Sequence, residues 1–105
     1  MLTVTFTESE KKLSLRLEGH AGYAEHGKDI VCASATILAY TLASIIDTFD
    51  DDVEAFVNLS SGDTTIGCKC KNDIIYSKIA DAFRYTKMGY ALLEHNYPQY
   101  VKLML

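Results

Sequence analysis

Apolar and polar residues alternate at the start of the chain and then change to a helical period. Alternation over Leu2–Phe6 and Leu13–Leu17 predicts two strands, each with one apolar face. The polar segment ESEKK between them predicts the turn of a β-hairpin. From Ile30 to Asp47 apolar residues recur every three or four positions, which predicts a helix. The stripe at this spacing comprises Ile30, Ser34, Ile37, Leu38, Thr41, Leu42 and Ile45.

The second half of the chain repeats the order strand, strand, helix. Val53–Leu59 and Thr64–Lys71 predict two strands, and the segment SSGD predicts the turn between them. A second helix is predicted from Asp73, with Pro98 marking its end. Its stripe comprises Ile75, Ile79, Ala82, Phe83, Thr86, Tyr90 and Leu93. The last residues, Val101–Leu105, predict a short final strand.

The predicted order ββαββαβ indicates an α+β fold in two layers. We expect a mostly antiparallel five-stranded sheet with both helices on one face. A chain of 105 residues suits a single domain, 1–105. The first helix is apolar on more than one side, so we expect its outer face to be covered by the second helix or by a second subunit.

Composition and charge exclude several classes of partner. With 49% hydrophobic and 23% charged residues, the chain has the composition of a globular domain. Its net charge of −4 disfavours direct binding to nucleic acid and favours a basic peptide. The segment MLTVTFTE does not resemble a secretory leader, which predicts a cytoplasmic location and three free thiols. The uncharged run Ile30–Ile46 is interrupted by polar residues, so we expect a buried helix and no membrane contact.

The segment GHAGYAEHGKDIVCASA, residues 19–35, holds the candidate chemistry. If Asp29 caps the first helix, Cys32 lies in its first turn, where main-chain N–H groups lack helical partners. Thiols at helix N-termini beside a cationic histidine can have a pKa of roughly 3.5–7.5 instead of about 8.5. The same N–H groups can stabilise an oxyanion, an effect worth about 3 to 4 kcal/mol per donor. The segment therefore predicts a cysteine nucleophile.

A cysteine nucleophile also needs a base, and two histidines precede it. His20 follows Gly19 at the end of the second strand, where a rigid element fixes its direction. His26 lies in the glycine-containing loop from Ala21 to Lys28, so we select His20 as the base. We expect this loop to be a mobile cover over the site, formed in part by Gly22, Tyr23, His26 and Gly27.

Two further residues are expected to support the cysteine and histidine. Asp29 is a helix cap and a candidate for orienting His20, and the sequence does not separate these roles. Thr36 lies one helical turn after Cys32 and places a hydroxyl on the same side.

Simpler interpretations compete with catalysis. A cysteine early in an apolar helix is commonly a small core residue. Cys68 and Cys70 lie two apart on a predicted strand and are best explained by packing beside Ile66. A zinc site built from these cysteines, Cys32 and a histidine has only a weak C-x-C signal, so neither a metal nor another cofactor is expected.

The motif as a whole resembles the ribosomal-processing cysteine proteases of the Prp type. The resemblance rests on Gly19-His20-Ala21, then Gly27, and then Asp29-Ile30-Val31-Cys32-Ala33 at a helix start. Chain length and element order also fit the family, so the resemblance covers nearly the whole chain. The family carries a serine one turn past the cysteine, where this chain has Thr36.

The resemblance implies a cytoplasmic bacterial endopeptidase that forms a homodimer. Such enzymes remove a short N-terminal extension from large-subunit ribosomal protein number twenty-seven, cutting after an aromatic residue in a segment with basic residues. It also implies that His20 is the general base, Cys32 the nucleophile and Asp29 a member of the site. The alternative is a non-catalytic module that binds a ribosomal or other basic peptide in the same cleft.

Overall fold

The computed structural model of the protein describes residues 1–104, so the predicted end of the last strand, Leu105, lies outside the described residues. The strands are β1 (Leu2–Ser9), β2 (Lys12–Glu18), β3 (Val53–Ser60), β4 (Asp63–Cys70) and β5 (Val101–Met104). The helices are α1 (Ile30–Asp47) and α2 (Asp73–Asn96), and one turn of 3-10 helix covers Asp50–Asp52. The predicted order ββαββαβ is confirmed, and α1 has the predicted bounds.

The five strands form one mixed sheet in the order β3-β4-β2-β1-β5. All neighbouring pairs are antiparallel except β1 and β5, because α2 carries the chain from β4 to the far edge of the sheet. Leu15 lies opposite Phe6 on one side and Ile66 on the other, so the apolar residues of three strands share one face. Leu15 and Ile66 are fully buried, which stabilises the fold by roughly 2 kcal/mol each.

Helix α1 turns a different face to the sheet from the one that the apolar spacing predicted. Its buried residues are Val31, Ala35, Ala39, Leu42 and Ile46. By contrast Ile30 and Ile37, both in the predicted stripe, are more than half exposed. Alanines on the buried face let the helix backbone approach the sheet closely, which a stripe of isoleucines does not allow. By length and composition α1 could also be a membrane-spanning helix, but its alanine face packs in the core.

Helix α2 packs with the stripe that was predicted for it. Ile79, Phe83, Thr86 and Tyr90 are buried, and the other residues of the stripe pack against the core. The Tyr90 hydroxyl donates to the Ala35 carbonyl at 2.8 Å and so joins the two helices. Part of the α1 surface is therefore covered by α2, while Ile37 and Tyr40 stay exposed.

Cys68 and Cys70 are buried side by side beneath the helices. Their sulfur atoms lie 4.0 Å apart, and both thiols are free. Burial, and then the proximity of Cys70, raises the pKa of Cys68 to about 12. Burial also raises the pKa of Cys70. Both thiols are therefore poor nucleophiles near neutral pH.

Candidate active site

The end of strand β2 sets the position of His20. Gly19 adopts φ +83°, and its N–H donates to the Gly62 carbonyl at 2.9 Å. A Cβ at position 19 would lie 2.7 Å from the Met1 carbonyl oxygen, so only glycine fits there. The chain thus turns directly after the sheet and places the exposed His20 ring beside the β3–β4 turn.

The β3–β4 turn, Ser61–Gly62, supports the His20 ring. Gly62 has φ +75°, and a Cβ there would lie 3.0 Å from His20 Nε2. The sequence identified SSGD only as a turn. Its approach to His20 follows from the pairing of β2 with β4, which sets Glu18 opposite Asp63.

We expect Gly62→Ala to lower activity by moving the His20 ring. The added methyl group would push the ring by a few tenths of an ångström. Because a shift of about 1 Å can cost roughly 100-fold in rate, this smaller shift should cost roughly 3- to 10-fold. The left-handed backbone would cost about 1 to 2 kcal/mol of stability. Activity measured in a double-mutant cycle tests this, because Gly62→Ala should have no further effect in a His20→Ala background. Equal losses in both backgrounds would assign the effect to general distortion.

Cys32 is the third residue of α1 and a free, half-buried thiol. Its main-chain N–H donates to Asp29 Oδ1 at 2.9 Å. Its sulfur accepts the main-chain N–H of Ala21 at 3.4 Å. Ala21 directly follows His20 and is only 3% exposed, so the histidine and the cysteine are linked through one buried residue.

Asp29 caps α1, as predicted, and also ties the following loop to the helix. Its Oδ1 accepts N–H groups from Val31 and Cys32, and its Oδ2 accepts those of Tyr23 at 3.0 Å and Ala24 at 3.4 Å. Burial opposes ionisation, but the N–H groups of Cys32, Ala24 and Tyr23, together with the Cys32 thiol, outweigh it and hold the pKa of Asp29 below its usual value. Among residues 1–104 no hydrogen bond joins Asp29 to His20, so the proposed orienting contact is not present in this geometry.

The arrangement also changes the expectation for the helix start. The N–H groups of Val31 and Cys32 are both bonded to the Asp29 carboxylate, and that of Ala33 is bonded to the Asp29 carbonyl at 3.0 Å. These three groups are therefore not free to stabilise an oxyanion. The helix cap at Asp29, which the sequence predicted, occupies these N–H donors.

Asp29 should make stability depend on pH in the acidic range. A lowered folded-state pKa stabilises the fold above the ordinary value of 3.8, and this contribution is lost as the pH falls through the folded value. We expect the free energy of unfolding of the wild type, relative to Asp29→Asn, to fall as the pH drops below the ordinary carboxyl value of 3.8. Asp29→Ala should cost about 1 kcal/mol at pH 7 through loss of the cap. Urea unfolding measures both, and a difference from Asp29→Asn that does not vary with pH would contradict the assignment.

Two cavities meet at His20 and Cys32. One, of about 400 Å³, runs between α1 and the β3–β4 turn. The other, of about 640 Å³, lies between α1 and the loop that carries Gly22, His26 and Gly27. His26, Thr36 and Tyr40 line both cavities, together with His20 and Cys32. Within the described residues no hydrogen bond joins His20 to Cys32, although both residues line the same cleft.

The loop from Ala21 to Lys28 is tied down at its first half. The Tyr23 ring packs edge-on against Tyr97 at 5.5 Å and Tyr100 at 5.2 Å between centroids. These tyrosines lie between α2 and β5, far from Tyr23 in sequence, so no local pattern predicted the contact. Mobility of the loop stays a prediction.

Metal chemistry has little support in the described geometry. Within residues 1–104 there is no group of three or more His, Cys, Asp or Glu side chains placed to hold a metal ion. Cys68 and Cys70 are in the core and do not line either cavity.

A half-buried thiol and an imidazole that open on one cleft are the features of a cysteine protease. The chain belongs to one family of that class, because the profile of the cysteine protease Prp family matches residues 1–102. The family resemblance inferred from the sequence is therefore confirmed.

Relatives and solved structures agree with this assignment. The ribosomal processing cysteine protease Prp of Bacillus subtilis (strain 168) is 43% identical over 42 residues, a segment that covers 38% of each chain. The fold matches that of the essential ribosomal processing protease Prp from S. aureus in complex with a covalently linked product peptide, with TM-score 0.78, 23% identity and coverage of 98% and 97%. SMU.848 from Streptococcus mutans matches with TM-score 0.69, 28% identity and coverage of 98% and 91%.

Proposed function

We propose that this protein is a cysteine endopeptidase in which Cys32 is the nucleophile and His20 the general acid and base. The observation that carries the proposal is the placement of both side chains on one cleft, linked through the N–H contact from Ala21 to the Cys32 sulfur. Both elements that bear them are rigid, one at a strand end and one at a helix start.

The reaction follows the chemistry of these groups. The Cys32 thiolate attacks the scissile carbonyl carbon, and the electron pair of the carbonyl moves to oxygen. When the carbonyl re-forms, the C–N bond breaks and the leaving amine takes a proton from the His20 imidazolium. Water, deprotonated by His20, then attacks the thioester and releases the carboxylic acid and Cys32.

The substrate we propose is the N-terminal extension of large-subunit ribosomal protein number twenty-seven. Support comes from the family and from the S. aureus Prp, which was also solved in complex with a substrate peptide. That structure matches this chain with a TM-score of 0.74 and 21% identity. Ile37 and Tyr40 give the larger cavity an apolar wall suited to an aromatic side chain. The net charge of −4 favours a basic peptide.

Mass spectrometry of the ribosomal protein tests this proposal. The full-length protein should lose its extension when incubated with the purified enzyme, by cleavage at a single bond. A ribosomal protein that keeps its full mass while an unrelated peptide is cut would refute the substrate. No cleavage of either, with the enzyme folded, would refute the activity.

We also propose that two copies of the chain associate in the cytoplasm. Ile37 is 63% exposed on α1, and Val57 and Leu59 are each 48% exposed on the edge strand β3. Large exposed apolar groups on adjacent elements are typical of an interface. Sedimentation of wild type against Val57→Glu measures the association, because Val57 lines neither cavity. The wild type should sediment as a dimer and the variant as a monomer, and a monomeric wild type would contradict the proposal.

The alternative is a peptide-binding module without catalysis, and alkylation separates the two functions. In either case Cys32 should be labelled faster by iodoacetamide at about pH 7 than the two core thiols, whose raised pKa values keep them protonated. In an enzyme, labelling of Cys32 should also slow in His20→Ala, because the imidazole accepts the thiol proton. Peptide mapping of the folded protein locates the label. Labelling of Cys32 no faster than that of the core thiols, or equal in the wild type and His20→Ala, would favour the module.

A further inference from the structure

The expected oxyanion donors at the helix start are already occupied. Asp29 takes the N–H groups of Val31, Cys32 and Ala33 through its carboxylate and its carbonyl. We therefore looked beyond these three groups for an N–H that already contacts the reacting sulfur. The side chains of Thr36, Ser61 and His26 line the cleft, but within residues 1–104 none is hydrogen-bonded to the Cys32 sulfur.

The main-chain N–H of Ala21 meets this requirement. It points at the Cys32 sulfur at 3.4 Å, and its residue is only 3% exposed. The preceding turn is fixed by the bond from the Gly19 N–H to the Gly62 carbonyl. A donor that is fixed and shielded from water stabilises nearby negative charge without a cost of reorganisation.

We propose that the Ala21 N–H is a catalytic donor that first holds the Cys32 thiolate and then the oxyanion. As the sulfur–carbon bond forms, the negative charge moves from sulfur to the carbonyl oxygen on the adjacent carbon. A donor already at the sulfur needs only a small shift to reach that oxygen. When the C–N bond breaks, the pair on oxygen re-forms the carbonyl, the His20 proton goes to the amine, and the N–H returns to the sulfur. The inference rests on the proposed protease function.

This role places the base and the donor on consecutive residues. His20 and Ala21 are both held by the turn at Gly19, so a single segment sets the direction of the imidazole and of the N–H. Residue 21 is buried, so its side chain must be small, as that of alanine is.

Replacement of one amide by an ester tests the donor directly. The chain can be assembled by ligation at Cys32 from a thioester of residues 1–31 and a fragment beginning with that cysteine. L-lactic acid in place of Ala21 removes the N–H and keeps the methyl group. The matched control is L-lactic acid in place of Ala24, whose N–H also spans 3.4 Å but donates to Asp29 Oδ2.

Two readouts separate the outcomes. With the Ala21 ester, cleavage of the extension peptide should fall roughly 10²- to 10³-fold, and alkylation of Cys32 by iodoacetamide at pH 7 should fall roughly 5- to 10-fold. The Ala24 ester should stay within about threefold of the all-amide protein in both. Equal losses in the two esters, or no loss in the first, would overturn the proposal. If the all-amide protein itself fails to cleave, the protease function is refuted. The alkylation rates of the two esters then still show whether the Ala21 N–H contacts the Cys32 sulfur.

An independent measurement covers the case in which the Ala21 ester does not fold. In the all-amide protein with ¹⁵N-labelled alanine, the Ala21 amide proton should change its chemical shift when Cys32 is alkylated, and that of Ala24 should change less. If the Ala21 signal does not respond, the Ala21 N–H does not contact the Cys32 sulfur and the proposal is overturned.

Discussion

Replacing Cys32 by alanine is expected to abolish peptide cleavage and to leave the fold intact. The change removes the attacking sulfur, and loss of a nucleophile of this kind costs roughly 10⁴- to 10⁶-fold in kcat. Cys32 is only half-buried, and its main-chain bond to Asp29 does not depend on the side chain. Cleavage of the extension peptide is followed by chromatography, and circular dichroism checks the fold.

Cys70→Ala is the matched control for this variant. Its thiol lies in the core away from both cavities, so the loss should appear as about 1 to 2 kcal/mol of stability rather than as lost activity. A Cys32→Ala protein that cuts at the wild-type rate would eliminate the cysteine mechanism. Loss of activity in the control, with its fold intact, would point to a catalytic role that the geometry does not assign to Cys70.

His20→Ala should lower kcat by roughly 10²- to 10⁴-fold, the usual contribution of a general acid and base. The imidazole is needed to accept the thiol proton and to protonate the leaving amine. The pH dependence of kcat/KM should change shape in the variant, because no imidazole at position 20 remains to exchange protons with the thiol and the leaving amine. A residue with only a structural role would lower the rate without altering this profile.

His26→Ala is the control for His20. It lines the same two cavities but belongs to the loop rather than to a strand end, so its loss should leave the pH profile unchanged. If His26→Ala loses as much activity as His20→Ala and changes the profile, the base has been misassigned. If neither variant loses activity, the thiol acts without an imidazole.

The secondary structure could be predicted from the sequence because hydrophobic period is a local property. Helix α1 begins and ends where the change of period places it, and the stripe of α2 is the one that packs. The buried face of α1 could not be predicted in the same way. A helix that is apolar on several sides offers more than one face, and the choice depends on how closely Ala35 and Ala39 allow it to approach the sheet.

The site was predictable where its residues are close in sequence. Glycine before His20 and a cap before Cys32 are local signals, and the structure brings both side chains to one cleft. Contacts between distant segments left no such signal. The turn at Gly62 reaches His20 only through strand pairing, and Tyr23 meets Tyr97 and Tyr100 only after α2 has crossed the sheet.

The N–H groups at the start of α1 could be predicted only in part. Aspartate at position 29 predicts a cap, and a cap implies that its oxygens accept first-turn N–H groups. Both the cap and a free oxyanion site were expected from the same residues, although one excludes the other. In the structure the carboxylate of Asp29 binds the N–H groups of Val31 and Cys32, and the N–H of Ala21 contacts the Cys32 sulfur.

Trapping the covalent intermediate tests the mechanism most directly. An activated ester of the extension peptide acylates the enzyme faster than water releases it, so the acyl-enzyme accumulates before an acid quench. Tandem mass spectrometry of the digested protein should place the acyl group on the Cys32 sulfur, as a thioester that hydroxylamine removes and that denatured protein does not form. An acyl group on another residue, or turnover of the ester with no covalent species, would contradict nucleophilic attack by Cys32.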